Sequence, residues 1–298
     1  MKQIQRLAML GGDARQISAS AFLSKHGYDV RVWALGNCHD ACGNATVCDT
    51  WEDAIQGAEA VILPLPISSD GVRVHCPLHD GDDLLRLTTL IDRLAGRLLL
   101  GGRIPPFLRA LAHERGVECL DYYECELLQQ KNALPTAEGA IAIAMQALPI
   151  TIDGATTAVL GYGRIGSLLA AKLEALGAHV TVYARRQQSL TAASLCHHDT
   201  ARLTQNEHGA ALSALPIGCR AVFNTVPERL IPNDALSIIP RDCLYVDLAS
   251  APGGIDHTAA AAMGLSTVWG TALPGKCAPE TAGIIVAEAI ITLLSPDA

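Results

Sequence analysis

Short apolar runs alternate with amphipathic stretches and glycine-marked turns along most of the chain. Arg6-Leu7-Ala8-Met9-Leu10 reads as a strand, Gly11-Gly12-Asp13-Ala14-Arg15 as a turn, residues 16 to 26 as a helix ending before Gly27, and Asp29 to Ala34 as a second strand. Further strands are expected at Ala60-Val61-Ile62-Leu63, Leu98-Leu99-Leu100 and Val117-Glu118-Cys119-Leu120, with helices over residues 82 to 95 and 105 to 115. This strand-helix alternation predicts a doubly wound parallel sheet.

The pattern restarts further on. Asn132-Ala133-Leu134-Pro135-Thr136-Ala137-Glu138-Gly139 is expected to open a helix running to Leu148, with Pro135 in its first turn and Glu138 complementing the positive helix end. Its small residues Gly139, Ala140, Ala142 and Ala144 suit a closely packed helix crossing between two halves of the chain. Ala158-Val159-Leu160 then ends in Gly161-Tyr162-Gly163-Arg164-Ile165-Gly166 and a helix carrying Leu168, Leu169, Ala171, Lys172, Leu173 and Leu176, closed by Gly177. Strands follow at Ala221 to Pro227 and Leu244 to Ser250, and Pro279 to Leu294 reads as an apolar helix.

The spacing of the three glycines carries chemistry. Gly161 permits the tight turn after the strand, Gly163 lets backbone approach a pyrophosphate, and Gly166 lets helix and strand pack closely, while the helix N-terminus offers free N–H groups to phosphate. An NAD site places Asp or Glu about 20 residues past the glycines for the ribose 2′-hydroxyl. Tyr183-Ala184-Arg185-Arg186 stands there instead. A small residue followed by two guanidinium groups suits a 2′-phosphate, so NADP is the expected cofactor. The candidate cofactor residues are Gly161, Tyr162, Gly163, Arg164, Ile165, Gly166, Ala184, Arg185 and Arg186. Asn224, Thr225, Val226, Pro227, Asp247, Leu248 and Ala249 join them, at strand ends expected to face the nicotinamide.

The fold class expected is therefore α/β: two doubly wound, Rossmann-like domains with parallel sheets, the C-terminal helix crossing back to the first. Residues 1–131, completed by helix 279–298, would form a substrate domain, and residues 132–278 the NADP-binding domain. The first turn does not repeat the dinucleotide motif, because Asp13 and Gln16 stand where glycines would be needed and a carboxylate repels pyrophosphate. A substrate pocket is expected there, with Gly12 giving backbone access and Arg15 placed to fork onto a carboxylate. Leu63 to Ser69, including Ser68, and Gly101-Gly102-Arg103 lie at strand C-termini where open sheets bind ligands.

Composition narrows the partners. A chain of 298 residues, 50% hydrophobic, can bury a large core, and its net charge of -8 with scattered Lys and Arg argues against nucleic acid or an anionic membrane. The apolar stretches 139 to 150 and 282 to 294 are too short to span a bilayer, and Met1-Lys2-Gln3 leads directly into the first strand, so a cytoplasmic protein is expected. Ten cysteines without a C-x-x-C pair read as reduced thiols. Cys196-His197-His198 has metal-ligand flavour but no second matching pair, and no metal is expected. A homodimer stays open.

Several strings together resemble one family, the A subunit of dipicolinate synthase of spore-forming bacteria. They are G-G-D-A-R-Q at 11 to 16, I-L-P at 62 to 64, P-T-A-E-G at 135 to 139, V-L-G-Y-G-R-I-G at 159 to 166, D-L-A-S-A-P-G-G at 247 to 254 and L-P-G-K-C-A-P-E-T-A-G at 273 to 283. The likeness covers nearly the whole chain; Ala137 stands where the family pattern has valine. It implies oxidation of dihydrodipicolinate to dipicolinate with NADP as hydride acceptor, during spore formation, beside a second, flavoprotein-like subunit. Turning over a cyclic dicarboxylate takes cationic or N–H-rich anchors and a base. Arg15, Arg103 and Lys276 are the candidate anchors, with Asp13 and Ser68 beside them. Glu138, with Asn132 and Thr136, is the candidate catalytic group near the junction of the halves.

Two other readings compete. One is a different two-domain amino-acid or 2-hydroxy-acid dehydrogenase, which would want a positioned His or Lys; His75, His79, His113, His208 and His257 are available, none in a convincing site string. The other is a non-catalytic nucleotide-binding subunit that regulates a partner.

Overall fold

A computed structural model describes residues 4–36, 38, 40–81, 84–206 and 209–295. The chain divides into two units, Met1–Asn132 with Ala278–Ala298, and Ala133–Cys277.

In the first unit β1 (Arg6–Leu10), α1 (Ala14–Lys25), β2 (Asp29–Trp33), β3 (Thr46–Val47), α2 (Trp51–Ile55), β4 (Ala60–Ile62), α3 (Leu87–Ile91), β5 (Leu98–Gly101), α4 (Pro106–Glu114) and β6 (Glu118–Asp121) follow in turn. The strands form one parallel sheet ordered β3-β2-β1-β4-β5-β6. Successive residues of β1 feed opposite layers: Ala8 and Leu10 join the core with Val61, Leu63 and Leu99, while Leu7 and Met9 join the core with Leu23, Val32 and Ile62. That is why β1 is apolar from Leu7 to Leu10 without a break; a sheet covered on both faces has no wet side.

α5 (Glu126–Ala147) leads into the second unit. There β7 (Thr156–Leu160), α6 (Arg164–Ala175), β8 (His179–Ala184), α7 (Gln187–Leu195), β9 (Asp199–Arg202), the hairpin β10 (Thr204–Asn206) and β11 (Gly209–Ala211), β12 (Cys219–Asn224), β13 (Leu244–Asp247), α8 (His257–Ala262), β14 (Ser266–Trp269) and α9 (Leu273–Cys277) follow. Its parallel sheet is ordered β14-β13-β12-β7-β8-β9, so β7 and β12 flank the point where the strand order reverses. Ligands of such sheets bind outside the carboxyl ends of the strands at that point.

The chain then closes with α10 (Pro279–Leu294), which returns to the first unit and packs on α1. Gly283 lies against the backbone of Arg15 and Ala19, where any side chain would collide. Lys131 holds Glu288 of α10 at 2.7 Å. Among the described residues no helix is long and apolar enough to cross a membrane.

Two expectations need correction. The helix expected over 82 to 95 is only Leu87–Ile91, and residues 82 and 83 lie outside the described residues. The helix expected to begin at Asn132 begins at Glu126, so Pro135 is interior and Glu138 is mid-helix, away from the positive end. An interior proline forfeits a backbone hydrogen bond. A buried stripe of Ala133, Ala137, Ala140 and Ala144, at helical spacing, carries the segment through as one helix. Short β3, α2 and β14 escaped the pattern because two- to five-residue elements show too few periods.

Candidate nucleotide-binding site

The loop between β7 and α6 is built by its glycines. Gly161 donates its N–H to Tyr183 O at 2.7 Å and has φ +97°, a left-handed conformation that disfavours side chains. A β-carbon there would also strike the Thr225 hydroxyl. Gly166 sits directly on the Gly161 carbonyl, which allows α6 its close approach. Gly163 differs: its backbone is extended, and a β-carbon on it would meet nothing within 4 Å. The space above Gly163 is thus open, and α6 has no side-chain N-cap, so the positive end of the helix is presented to that space. These residues fit a dinucleotide pyrophosphate. Tyr162 lies half-buried in the loop, where burial and then the Cys196 thiol push its phenol up to about 12.

The rim at the end of β8 is cationic. Ala184 is buried, and Arg185 and Arg186 follow it exposed at the start of α7. Arg202, which the sequence reading missed, is in register with Ala184 on β9 and donates to Gln187 Oε1 at 2.7 Å. It became visible only through strand pairing. Arg185 Nη1 lies 3.4 Å from both carboxylate oxygens of Glu228.

Asn224 and Asp247, expected as cofactor contacts, are both fully buried and bind each other. Asn224 Nδ2 donates to Asp247 Oδ1 at 2.9 Å and to Val226 O at 3.0 Å, and Asn224 Oδ1 accepts from Val226 N. Asp247 also accepts from Ala249 N at 3.2 Å and Gly254 N at 2.7 Å, with His257 Nε2 3.4 Å from Oδ2. Their polar capacity is spent on shaping the loops after β12 and β13. Thr225 Oγ1 donates to Leu160 O at 2.9 Å, fixing the first of these loops against the glycine turn. Val226 and Leu248 are half-buried and Pro227 is exposed on those loops, while Ala249 is buried and its carbonyl accepts from Trp269 Nε1 at 3.0 Å.

In the first unit the Arg15 guanidinium is already occupied. Nε and Nη2 fork onto Asp13 at 2.9 and 2.8 Å, Nη2 also donates to Leu65 O, and the side chain is 6% exposed. Asp13 in turn caps α1: it accepts from Arg15 N at 3.0 Å, and Gln16 Oε1 accepts from Asp13 N. Asp13 and Arg15, expected as substrate contacts, are thus engaged with each other and with the start of α1. Burial works to raise the Asp13 carboxyl, but the Arg15 hydrogen bonds and charge outweigh it and hold it below the usual range. Its stabilising contribution is therefore present above that range and is lost as pH falls through the lowered value. Arg15→Ala should destabilise the first unit by about 2 kcal/mol, by stranding a half-buried carboxylate and the Leu65 carbonyl. Denaturant unfolding with substrate kinetics checks it; unchanged stability with a raised KM would return Arg15 to a substrate site.

Ser68 closes a turn, donating to Asp70 Oδ1 and accepting from Gly71 N, each at 2.9 Å. The backbone N–H groups of Arg73 and Val72, then Ser68, hold Asp70 down to about 2. Arg103 is better presented: it is exposed, has φ +59°, lies 4.4 Å over the Tyr123 ring and donates to the Tyr123 hydroxyl at 3.0 Å. Buried Asp121 accepts from Arg103 N, Ile104 N and Arg109 Nη2, fixing that turn.

The candidate catalytic set divides. Asn132 and Thr136 are four residues apart on α5 and share a face, whereas Glu138 is on a different face and binds Lys172 of α6 at 2.9 Å, beside Ile141, Ala142 and Met145. Lys276 is exposed on the short α9. His208 lies outside the described residues, and His257 is stacked on Trp269 at 5.0 Å.

A parallel sheet reversing beside an open glycine loop defines a pyridine-nucleotide-binding domain of dehydrogenase type, and residues 123–208 match the NAD binding domain of D-isomer specific 2-hydroxyacid dehydrogenases. Residues 6–123 match the N-terminal domain of the dipicolinate synthase A subunit. The chain is 29% identical over 295 residues to the A subunit of dipicolinate synthase from Bacillus subtilis (strain 168), covering 97% of this chain and 96% of that one. The crystal structure of the Bacillus halodurans A subunit superposes with TM-score 0.84 at 27% identity, covering 98% of both chains. That of its Bacillus subtilis counterpart does so with TM-score 0.82 at 28% identity, covering 99% of this chain and 97% of that one. Over nearly its whole length the chain is thus similar to dipicolinate synthase A subunits.

Proposed function

We propose that this chain oxidises dihydrodipicolinate to dipicolinate with NADP, as the A subunit of a two-subunit synthase in spore formation. The single observation that carries the nucleotide half is the open space above Gly163 at an uncapped helix N-terminus, with Arg185 and Arg186 at the end of the next strand. The substrate half rests on the likeness to the A subunit of Bacillus subtilis dipicolinate synthase.

Bound NADP would supply the hydride acceptor. The α6 N-terminus and the Gly163 backbone hold the pyrophosphate, and Arg185 and Arg186 hold the 2′-phosphate through charge-assisted hydrogen bonds. Arg103, stiffened on the Tyr123 ring of the first unit, is proposed as an anchor for a substrate carboxylate. Glu138, engaged by Lys172, is set aside as base, so the proton leaving with the hydride passes to water. Because the product is aromatic, orientation of the ring against the hydride acceptor is most of what the protein must add.

The test supplies freshly made cyclic precursor with NADP, with and without the second subunit, and follows reduced nucleotide and pyridine product together. Turnover that requires this chain is expected. Activity on 2-oxo acids but not the cyclic diacid would move the chain to the general dehydrogenases, to which residues 123–208 are also similar. Full synthesis by the partner alone would leave the chain a regulatory role. Replacing Arg185 and Arg186 together by Ala should weaken NADPH at least tenfold more than NADH, since each charged hydrogen bond contributes about 1.5 kcal/mol or more; equal weakening in nucleotide titrations would refute the 2′-phosphate role.

A further inference from the structure

Glu228 reaches Arg185 from the far side of the glycine loop. The strand order places β7 between β12 and β8. Glu228 lies on the loop leaving β12 and Arg185 follows β8, so their ion pair straddles the turn that follows β7. Thr225 and Val226, on the same loop as Glu228, already lie against Gly161.

The pair is poorly made. One Nη1 is shared between two oxygens at 3.4 Å, and the side chains are 45% and 47% exposed. Contacts of this kind hold weakly in water. A phosphate monoester would offer the same guanidinium up to two charges and three acceptor oxygens. The neighbouring cations are otherwise engaged: Arg202 donates to the neutral Gln187 amide, and Arg229 lies 3.6 Å from Asp256.

We propose that Glu228 is a specificity-determining residue of the nucleotide site: it neutralises Arg185 when no 2′-phosphate is present and must release it when a phosphorylated ribose binds. Glu228 thus lowers the preference for NADP over NAD that the arginines alone would impose. The inference rests on the 2′-phosphate role proposed above. A rival role has the opposite sign. A carboxylate at the ribose end can accept from a 2′-hydroxyl, and Glu228 would then replace the acidic residue missing from the end of β8.

Titration of the full chain with NADPH and with NADH, following nucleotide fluorescence, separates these roles. Glu228→Gln is expected to tighten NADPH about fivefold at low salt, the measure of one exposed ion pair, and to leave NADH unchanged. In an Arg185→Ala background the same substitution should do nothing. Weakened NADH with unchanged NADPH would overturn the proposal in favour of the hydroxyl-accepting role, and no change in either would overturn it as an idle surface pair. If the double arginine variant weakens both nucleotides equally, the 2′-phosphate seat falls and the gate with it. If that variant discriminates while Glu228→Gln does not, the gate alone falls.

Discussion

Gly163→Val is expected to abolish nucleotide binding, with an affinity loss of at least about a hundredfold, while the second unit stays folded. The three glycines of the loop differ in what a side chain would meet. At Gly161 a substituent would suffer the positive φ and collide with Thr225, and at Gly166 it would collide with the Gly161 carbonyl, so both substitutions damage the fold itself. Gly163 is extended and faces open space, so valine costs the free protein little and occupies the volume the pyrophosphate needs. Losing two phosphate contacts with backbone N–H groups at about 1.5 kcal/mol or more each gives the magnitude. Calorimetric titration with NADPH, beside thermal unfolding, checks both halves. Unchanged affinity would contradict the pyrophosphate assignment.

Asp247→Ala should be the most destabilising polar substitution in the second unit, costing about 3 kcal/mol or more. The carboxylate is fully buried and is met by the Asn224 amide, two backbone N–H groups and the His257 ring. Truncation leaves those buried donors without an acceptor, and each orphan costs roughly 1–3 kcal/mol. The loops after β12 and β13 should loosen together, so nucleotide affinity falls as well. Urea unfolding of the variant measures the effect; stability equal to the parent would mean water replaces the carboxylate without penalty.

The parts legible in the sequence are those with local causes. The glycine loop, the helix ending before Gly177, the apolar strand β7 and the returning C-terminal helix follow from turn geometry and periodicity, and all stand where expected. The start of α5 was misread because a proline rule outweighed the alanine stripe that overrides it. The partners of the candidate site residues were not legible, for a common reason. Arg15 and Asp247 are residue types that bind ligands, but whether their capacity is free depends on partners such as Leu65 and Gly254, the first of them 50 residues from Arg15 in the chain. Arg202 and Glu228 join the rim only through strand pairing and a cross-loop ion pair, which no local pattern encodes.

The central claim is that the loop Gly161–Gly166 cradles a pyridine nucleotide whose phosphorylated ribose lies at Arg185 and Arg186. A crystal of the protein soaked with NADP tests it most directly. The account predicts pyrophosphate density over Gly163 at the α6 N-terminus, with the 2′-phosphate on Arg185 and Glu228 turned away. Nucleotide bound elsewhere, or a 2′-phosphate pointing away from both arginines, would contradict it.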